Sequence, residues 1–203
     1  MSSKRIKKAS KLGANYSRDF NLSSNLRVLV DIGFAKQTSI LKLNVIEKIN
    51  SMLNINCELY TTSCLLKECE LIGHILQKTH DVMNTFNLIK CNHKYNPKIG
   101  AVKCVSRYLQ LWSGAATADN VKTEDRHHLG EIRFWSLATT DKELITIGKN
   151  TVGLPLFFLS YSCIQLLSYG KASENYLKKK QLDILNNVVS IWLYLLDLSC
   201  IQY

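Results

Sequence analysis

Arg27-Val28-Leu29-Val30-Asp31 is a short run of branched apolar residues that closes on a carboxylate. Such a run reads as a buried strand. Helical spacing follows it: Ile40, Leu41, Leu43, Ile46, Ile49 and Leu53 recur with Lys and Asn between them, which predicts a helix over 38–53. Cys57–Tyr60 is a second short strand, and Thr61-Thr62-Ser63 supplies hydroxyls to cap a helix through about Gly73. His74–Leu88 continues as an amphipathic helix, residues 91–100 read as a structured loop, and 101–112 as a helix. Residues 113–130 are polar and irregular, a surface insertion. Beyond them, 132–139 reads as a strand, 141–149 as a short helix, 155–160 as a buried strand and 164–167 as one more. Strands alternating with helices at this pitch predict an α/β fold in three layers, a mostly parallel sheet with helices on both faces.

The rest of the chain is consistent with one such domain. It has 203 residues, 46% apolar and 21% charged, with two Pro and nine Gly, which excludes collagenous and low-complexity classes. Residues 1–18 lack an apolar run of signal-peptide length, so the seven cysteines are expected reduced or metal-bound rather than paired in a disulfide framework. The formal charge is +10, and six of its cations (Lys4, Arg5, Lys7, Lys8, Lys11 and Arg18) precede the first acid, Asp19. A basic arm over 1–22 therefore precedes the α/β domain over 23–170, and a helical tail over 171–203 follows it. Such an arm suits nucleic-acid phosphates, because each neutralised phosphate releases counterions. A solvated terminus or a nuclear-import signal fits the same residues. Val188–Leu196 is apolar but is interrupted by Asp197. It is shorter than the ~18–20 residues that span a bilayer, which leaves a helix packed on the domain or one exposed to a partner.

Two clusters carry chemistry. In an open parallel sheet, ligands gather beyond the carboxyl ends of the strands. Asp31, Asp141 and Glu143 follow predicted strands, and Glu68 lies one turn into the helix after the second. Converging carboxylates would hold Mg²⁺ or Mn²⁺ for phosphodiester hydrolysis; the same acids also suit helix caps. Cys91-Asn92-His93 with Cys104 beyond it, and Cys64 at the start of the earlier helix, form a candidate tetrahedral Cys₃His zinc set. Buried thiols and a surface histidine fit that pattern as well. His127-His128 with Asp125, inside the polar insertion, is a weaker metal candidate. Lys178-Lys179-Lys180 reads as a solvated helix face.

Taken in order, these features resemble the PIN-domain ribosome-biogenesis proteins of the Fcf/Utp type. The resemblance runs over about residues 4–180. It is carried by the basic arm, Arg27–Asp31, Thr61-Thr62-Ser63-Cys64-Leu65-Leu66-Lys67-Glu68, Cys91-Asn92-His93 with Cys104, Leu137–Leu144, and Val152-Gly153-Leu154-Pro155-Leu156. It implies a PIN-like fold and a structural Cys-Cys-His-Cys zinc site at Cys64, Cys91, His93 and Cys104. It also implies a nucleolar, small-subunit-processome role in early 18S rRNA maturation through snoRNA and pre-rRNA contacts. No membrane and no small-molecule substrate are expected.

Active nucleases of that group carry acids at the positions of Asp31, Glu68 and Asp141 and at one more, where this chain has Lys103. An ammonium ~4 Å from a divalent cation would cost several kcal/mol at an effective dielectric near ~20; Glu143 is placed to offset part of it. The expectation is a vestigial acidic cluster on a domain that binds RNA through Lys4, Arg5, Lys7, Lys8, Lys11 and Arg18 without cutting it. The alternatives are a Mg/Mn-dependent endoribonuclease and a protein-interaction scaffold.

Overall fold

In the computed structural model, residues 3–112 and 134–200 are described, with side chains over 7–112 and 134–191. The central strand is β1 (Asn25–Val30), and Asp31 directly caps α2 (Ile32–Ile40). The helix expected over 38–53 is two: α2, then α3 (Val45–Leu53). Between them Lys42 takes a left-handed backbone at φ 50°, and Asn44 Oδ1 accepts from Glu47 N–H to start α3. That cap lies inside an apolar spacing that runs through both helices without a break, which is why spacing alone joins them.

β2 (Asn56–Thr62) lies parallel to β1 with Val28 beside Leu59. Thr62 Oγ1 accepts from Leu65 N–H and starts α4 (Ser63–Ile72). The single helix expected over 74–88 is a 3-10 turn (Gly73–Ile75), α5 (Gln77–Met83) and a third strand, β3 (Asn87–Ile89). β3 has three residues and is held by parallel pairing with Tyr60–Thr62, a contact no local pattern encodes. α6 (Gly100–Trp112), β4 (Trp135–Ala138), α7 (Lys142–Asn150), β5 (Leu156–Ser160) and β6 (Cys163–Leu166) follow, and α8 (Lys171–Cys200) closes the chain. The sheet order is β3-β2-β1-β4-β5-β6, parallel except for the β5–β6 hairpin. Tyr161 and Ser162, both at positive φ, make its tight turn. The core is apolar on both faces of β1, with Leu26, Val28, Leu29 and Val30 all but inaccessible.

Residues 3–20, expected as part of a basic arm, form a helix, α1 (Ser3–Phe20), packed on α3 and β6. Its inward positions Ala9, Leu12, Gly13, Tyr16 and Phe20 recur at helical spacing. Gly13 has no room for a side chain: a Cβ there would lie 2.8 Å from Leu53 Cδ2 and 3.0 Å from the Met52 carbonyl. Gly153, at φ 75°, leaves the space that the Phe20 ring fills. Tyr16 is buried edge-on against Tyr169 at 4.6 Å, and Phe20 meets Tyr169 at 5.3 Å and Tyr176 of α8 at 6.2 Å. These rings fasten the two ends of the chain to the domain and to each other. Past them α8 runs exposed from Lys178 to Ile191. Among the described residues no helix is long and apolar enough to cross a membrane. The insertion at 113–130, with Asp125, His127 and His128, lies outside the described residues.

Candidate functional site

Four side chains able to ligate a metal converge where α4 starts and β3 ends. Ser63 Oγ accepts the Cys91 N–H at 3.0 Å, which ties the segment after β3 to the first turn of α4. Cys64 Sγ lies 3.2 Å from His93 Nε2, Cys91 Sγ lies 3.4 Å from Cys104 Sγ, and all four ligand atoms are within 4.8 Å of one another. Around a zinc ion with Zn–S near ~2.3 Å, tetrahedral ligand atoms stand ~3.8 Å apart, so this set needs only a small expansion to take one. Three thiols and one imidazole are soft to borderline donors, a set that fits zinc and would leave Mg²⁺ or Ca²⁺ weakly held.

The surroundings favour thiolate at Cys91, whereas burial pushes the Cys64 thiol up to about 11. The Cys91 thiol is pushed down to about 4 by the Cys104 thiol donating to it, helped by Ser63, the Cys64 backbone N–H at the α4 N-terminus and the Tyr108 hydroxyl. Cys104 is pushed up by the same contact with Cys91 and by burial. Cys57 and Cys69 are buried core thiols, and Cys163 is half-buried on β6.

The acids occupy other positions. Asp31 is buried beyond the end of β1: Oδ1 accepts from Phe34 N–H at 2.6 Å, and Oδ2 accepts from the Thr139 hydroxyl and from Thr140 N–H at 3.3 Å. Burial pushes its carboxyl up, against those hydrogen bonds. Thr139 Oγ1 in turn accepts from Asp141 N–H at 3.0 Å, which links the ends of the adjacent strands β1 and β4. Asp141 Oδ1 caps α7 through Glu143 N–H and Leu144 N–H at 2.7 and 3.0 Å. Glu68 Oε2 accepts from Ala101 N–H at 2.5 Å and from Tyr95 OH at 3.2 Å, so it caps α6. Glu143 is exposed on the first turn of α7, and Lys103 is exposed on the first turn of α6. Among the described residues the Cys/His set is the one group of three or more such ligands that converges; Asp31, Glu68, Asp141 and Glu143 do not form another.

The cations divide between two places. Lys7, Lys8 and Lys11 are exposed on α1, and Lys4 and Arg5 lie in its first turns. Arg18 is doubly bonded to Asp19, at 2.7 and 3.2 Å, which offsets its charge. Asp19 also accepts from Tyr169 and feels the field of Lys180, so part of the Lys178–Lys180 run stands beside α1. A second group escapes a reading centred on the N-terminus. Residues 82–118 contain no acid, yet hold Lys90, Lys94, Lys98, Lys103 and Arg107. The first four are exposed on and just beyond the Cys/His loop. The signal was an acid-free interval that encloses Cys91, His93 and Cys104.

With this geometry in hand, comparison with known proteins is informative. The Fcf1 family model matches residues 51–167, more than half of the chain. A search of curated proteins returns no match. Among solved structures, the chain is similar to that of the PIN domain endonuclease Utp24. The TM-score is 0.56 at 16% identity, over 73% of this chain and 97% of that one. At that identity the likeness concerns the fold, an α/β PIN fold around a mostly parallel sheet.

Proposed function

Because this chain belongs to the Fcf1 family of PIN-domain ribosome-biogenesis proteins, we propose that it is an RNA-binding assembly factor that holds its RNA without cutting it. It acts in early 18S rRNA maturation, on snoRNA and pre-rRNA, among small-subunit-processome proteins in the nucleolus. The observation that carries this reading is the placement of charge. A folded helix presents Lys7, Lys8 and Lys11, and a loop gathered by Cys64, Cys91, His93 and Cys104 presents Lys90, Lys94 and Lys98. Ser63 ties this segment to α4, and zinc held by Cys64, Cys91, His93 and Cys104 would add folding energy to the loop that carries the lysines. Rows of lysines on ordered backbone suit the phosphates and shape of structured RNA more than its base sequence.

Absence of cleavage is supported by what the acids already do. Asp31 is satisfied on both oxygens, Glu68 caps α6, and Asp141 caps α7. The family resemblance also puts Lys103, on α6, at a position where active members have an acid. Endoribonuclease action is the second reading. It is favoured by the structural neighbour being an endonuclease and by Asp31 and Asp141 following adjacent strands.

The binding claim is tested by titrating the full chain with a structured RNA over a salt series. Affinity falls steeply with salt, and Lys7, Lys8 and Lys11 changed together to Gln lower the log–log slope by roughly 0.7–0.9 for each phosphate no longer neutralised. Binding that ignores salt would favour the scaffold reading instead.

A further inference from the structure

The two lysine groups stand at opposite edges of the sheet. Lys90 follows β3 directly, and Lys94 and Lys98 continue the loop that Ser63 and the Cys/His set hold against α4. β3 is the first strand in the order β3-β2-β1-β4-β5-β6. α1 packs along β6, the last strand, and the Tyr16 hydroxyl reaches the Leu167 carbonyl just beyond it. Five inter-strand spacings of ~4.8 Å put ~24 Å of sheet between the two edges. All six lysines are exposed, and none has an ion-pair partner among the described residues. Lys90 follows the carboxyl end of β3 and Lys8 lies beside Ser160 and Tyr161 at the carboxyl end of β5, so the two groups share one end of the sheet but stand at its opposite edges. A short partner held along one of them leaves the other open.

We infer that the protein is a two-sided RNA clamp. It binds one RNA segment along Lys7, Lys8 and Lys11 and a second along Lys90, Lys94 and Lys98, so that it bridges two RNA segments. This inference rests on the RNA-binding reading above. It adds that the sites are separate and are filled together, whether by distant parts of one folded RNA or by two molecules. Each segment raises the effective concentration of the other at its own site when the two are linked.

The test uses the full chain with zinc and a hairpin of six base pairs. Its stem is ~20 Å at no more than ~3.4 Å per pair, shorter than the ~24 Å of sheet between the two edges. Native mass spectrometry and two-colour fluorescence transfer, with donor- and acceptor-labelled hairpins mixed, count the hairpins per chain. The inference expects two hairpins on one protein, with energy transfer between them. It expects one hairpin and no transfer in either the Lys7/Lys8/Lys11→Gln or the Lys90/Lys94/Lys98→Gln variant, each checked for unchanged zinc content and circular dichroism. A longer RNA carrying two such hairpins on a flexible linker would then bind wild type more tightly than one hairpin, and this gain would vanish in both variants. A single hairpin on wild type, weakened by both variants together, overturns the clamp but leaves RNA binding standing. No hairpin bound at low salt overturns both.

Discussion

Tyr16→Ala isolates the step that turns a basic terminus into a fixed basic helix. The Tyr16 ring is 2% exposed, stands edge-on to Tyr169 at 4.6 Å, and lies 6.0 Å from Phe20. A buried aromatic removes at least ~150 Å² from water, worth ~4 kcal/mol at ~25 cal/mol per Å². The methyl group of Ala keeps a fraction of that, and loss of the edge-on pair adds ~0.5–1.5 kcal/mol. The hydroxyl reaches the Leu167 carbonyl at only 3.4 Å, a long hydrogen bond that adds under ~1 kcal/mol. The expected cost is ~3–5 kcal/mol, within the range for buried aromatic truncation, whereas Tyr16→Phe costs under ~1 kcal/mol. Because α1 is held chiefly by α3 and β6, the loss appears first as local undocking, then as a lower global midpoint. Hydrogen exchange at α1 amides, followed beside urea unfolding, reads both. Loss of α1 protection in Tyr16→Ala but not Tyr16→Phe is the expected pattern. Unchanged protection and an unchanged urea midpoint in Tyr16→Ala would refute the docking of α1.

Three further expectations are more local. Gly13→Ala drives a methyl into Leu53 and the Met52 carbonyl; overpacking of ~1–3 kcal/mol outweighs the ~1 kcal/mol gained in helix propensity, so thermal unfolding shifts down, and an upward shift would deny the close α1–α3 approach. Zinc analysis of purified protein should give one ion per chain, and Cys104→Ala should lose it and expose residues 91–104 to proteolysis; a metal-free wild type with a protected loop would contradict the zinc assignment. The raised Asp31 carboxyl binds its proton more tightly folded than unfolded, so its contribution is full below about pH 3.9 and is lost as pH rises through the folded value. The stability of wild type relative to Asp31→Asn should therefore fall as pH rises above about 3.9 in urea titrations, and a rise would reverse the assigned shift.

Much of this architecture was open to inspection in the chain itself. β1, β2, α4, α6 and the β5–β6 pair follow apolar runs bounded by hydroxyl, Gly or Pro residues, where local pattern and burial agree. β3 was not legible, because three residues gain strand character only from pairing with Tyr60–Thr62. α1 hid for a different reason. Its lysines dominate the composition and draw the reading to charge, although Ala9, Leu12, Gly13, Tyr16 and Phe20 recur at helical spacing as an inward stripe. The Cys/His set could be named because residue type and order carry it, whereas its packing against Ser63 and Tyr108 is tertiary. Asp31 was visible as a strand-end acid. Its engagement by Thr139, which lies 108 residues away in sequence, was not, and that engagement bears most on its chemistry.

The central claim, binding without cleavage, is tested most directly in one tube. End-labelled pre-rRNA fragments are incubated with the full chain and Mn²⁺, and the bound and cleaved fractions are read from native and denaturing gels of the same samples. The account predicts a shifted, full-length RNA whose length does not change with time or with Asp31→Asn. Discrete shortening in wild type that disappears in Asp31→Asn would contradict it.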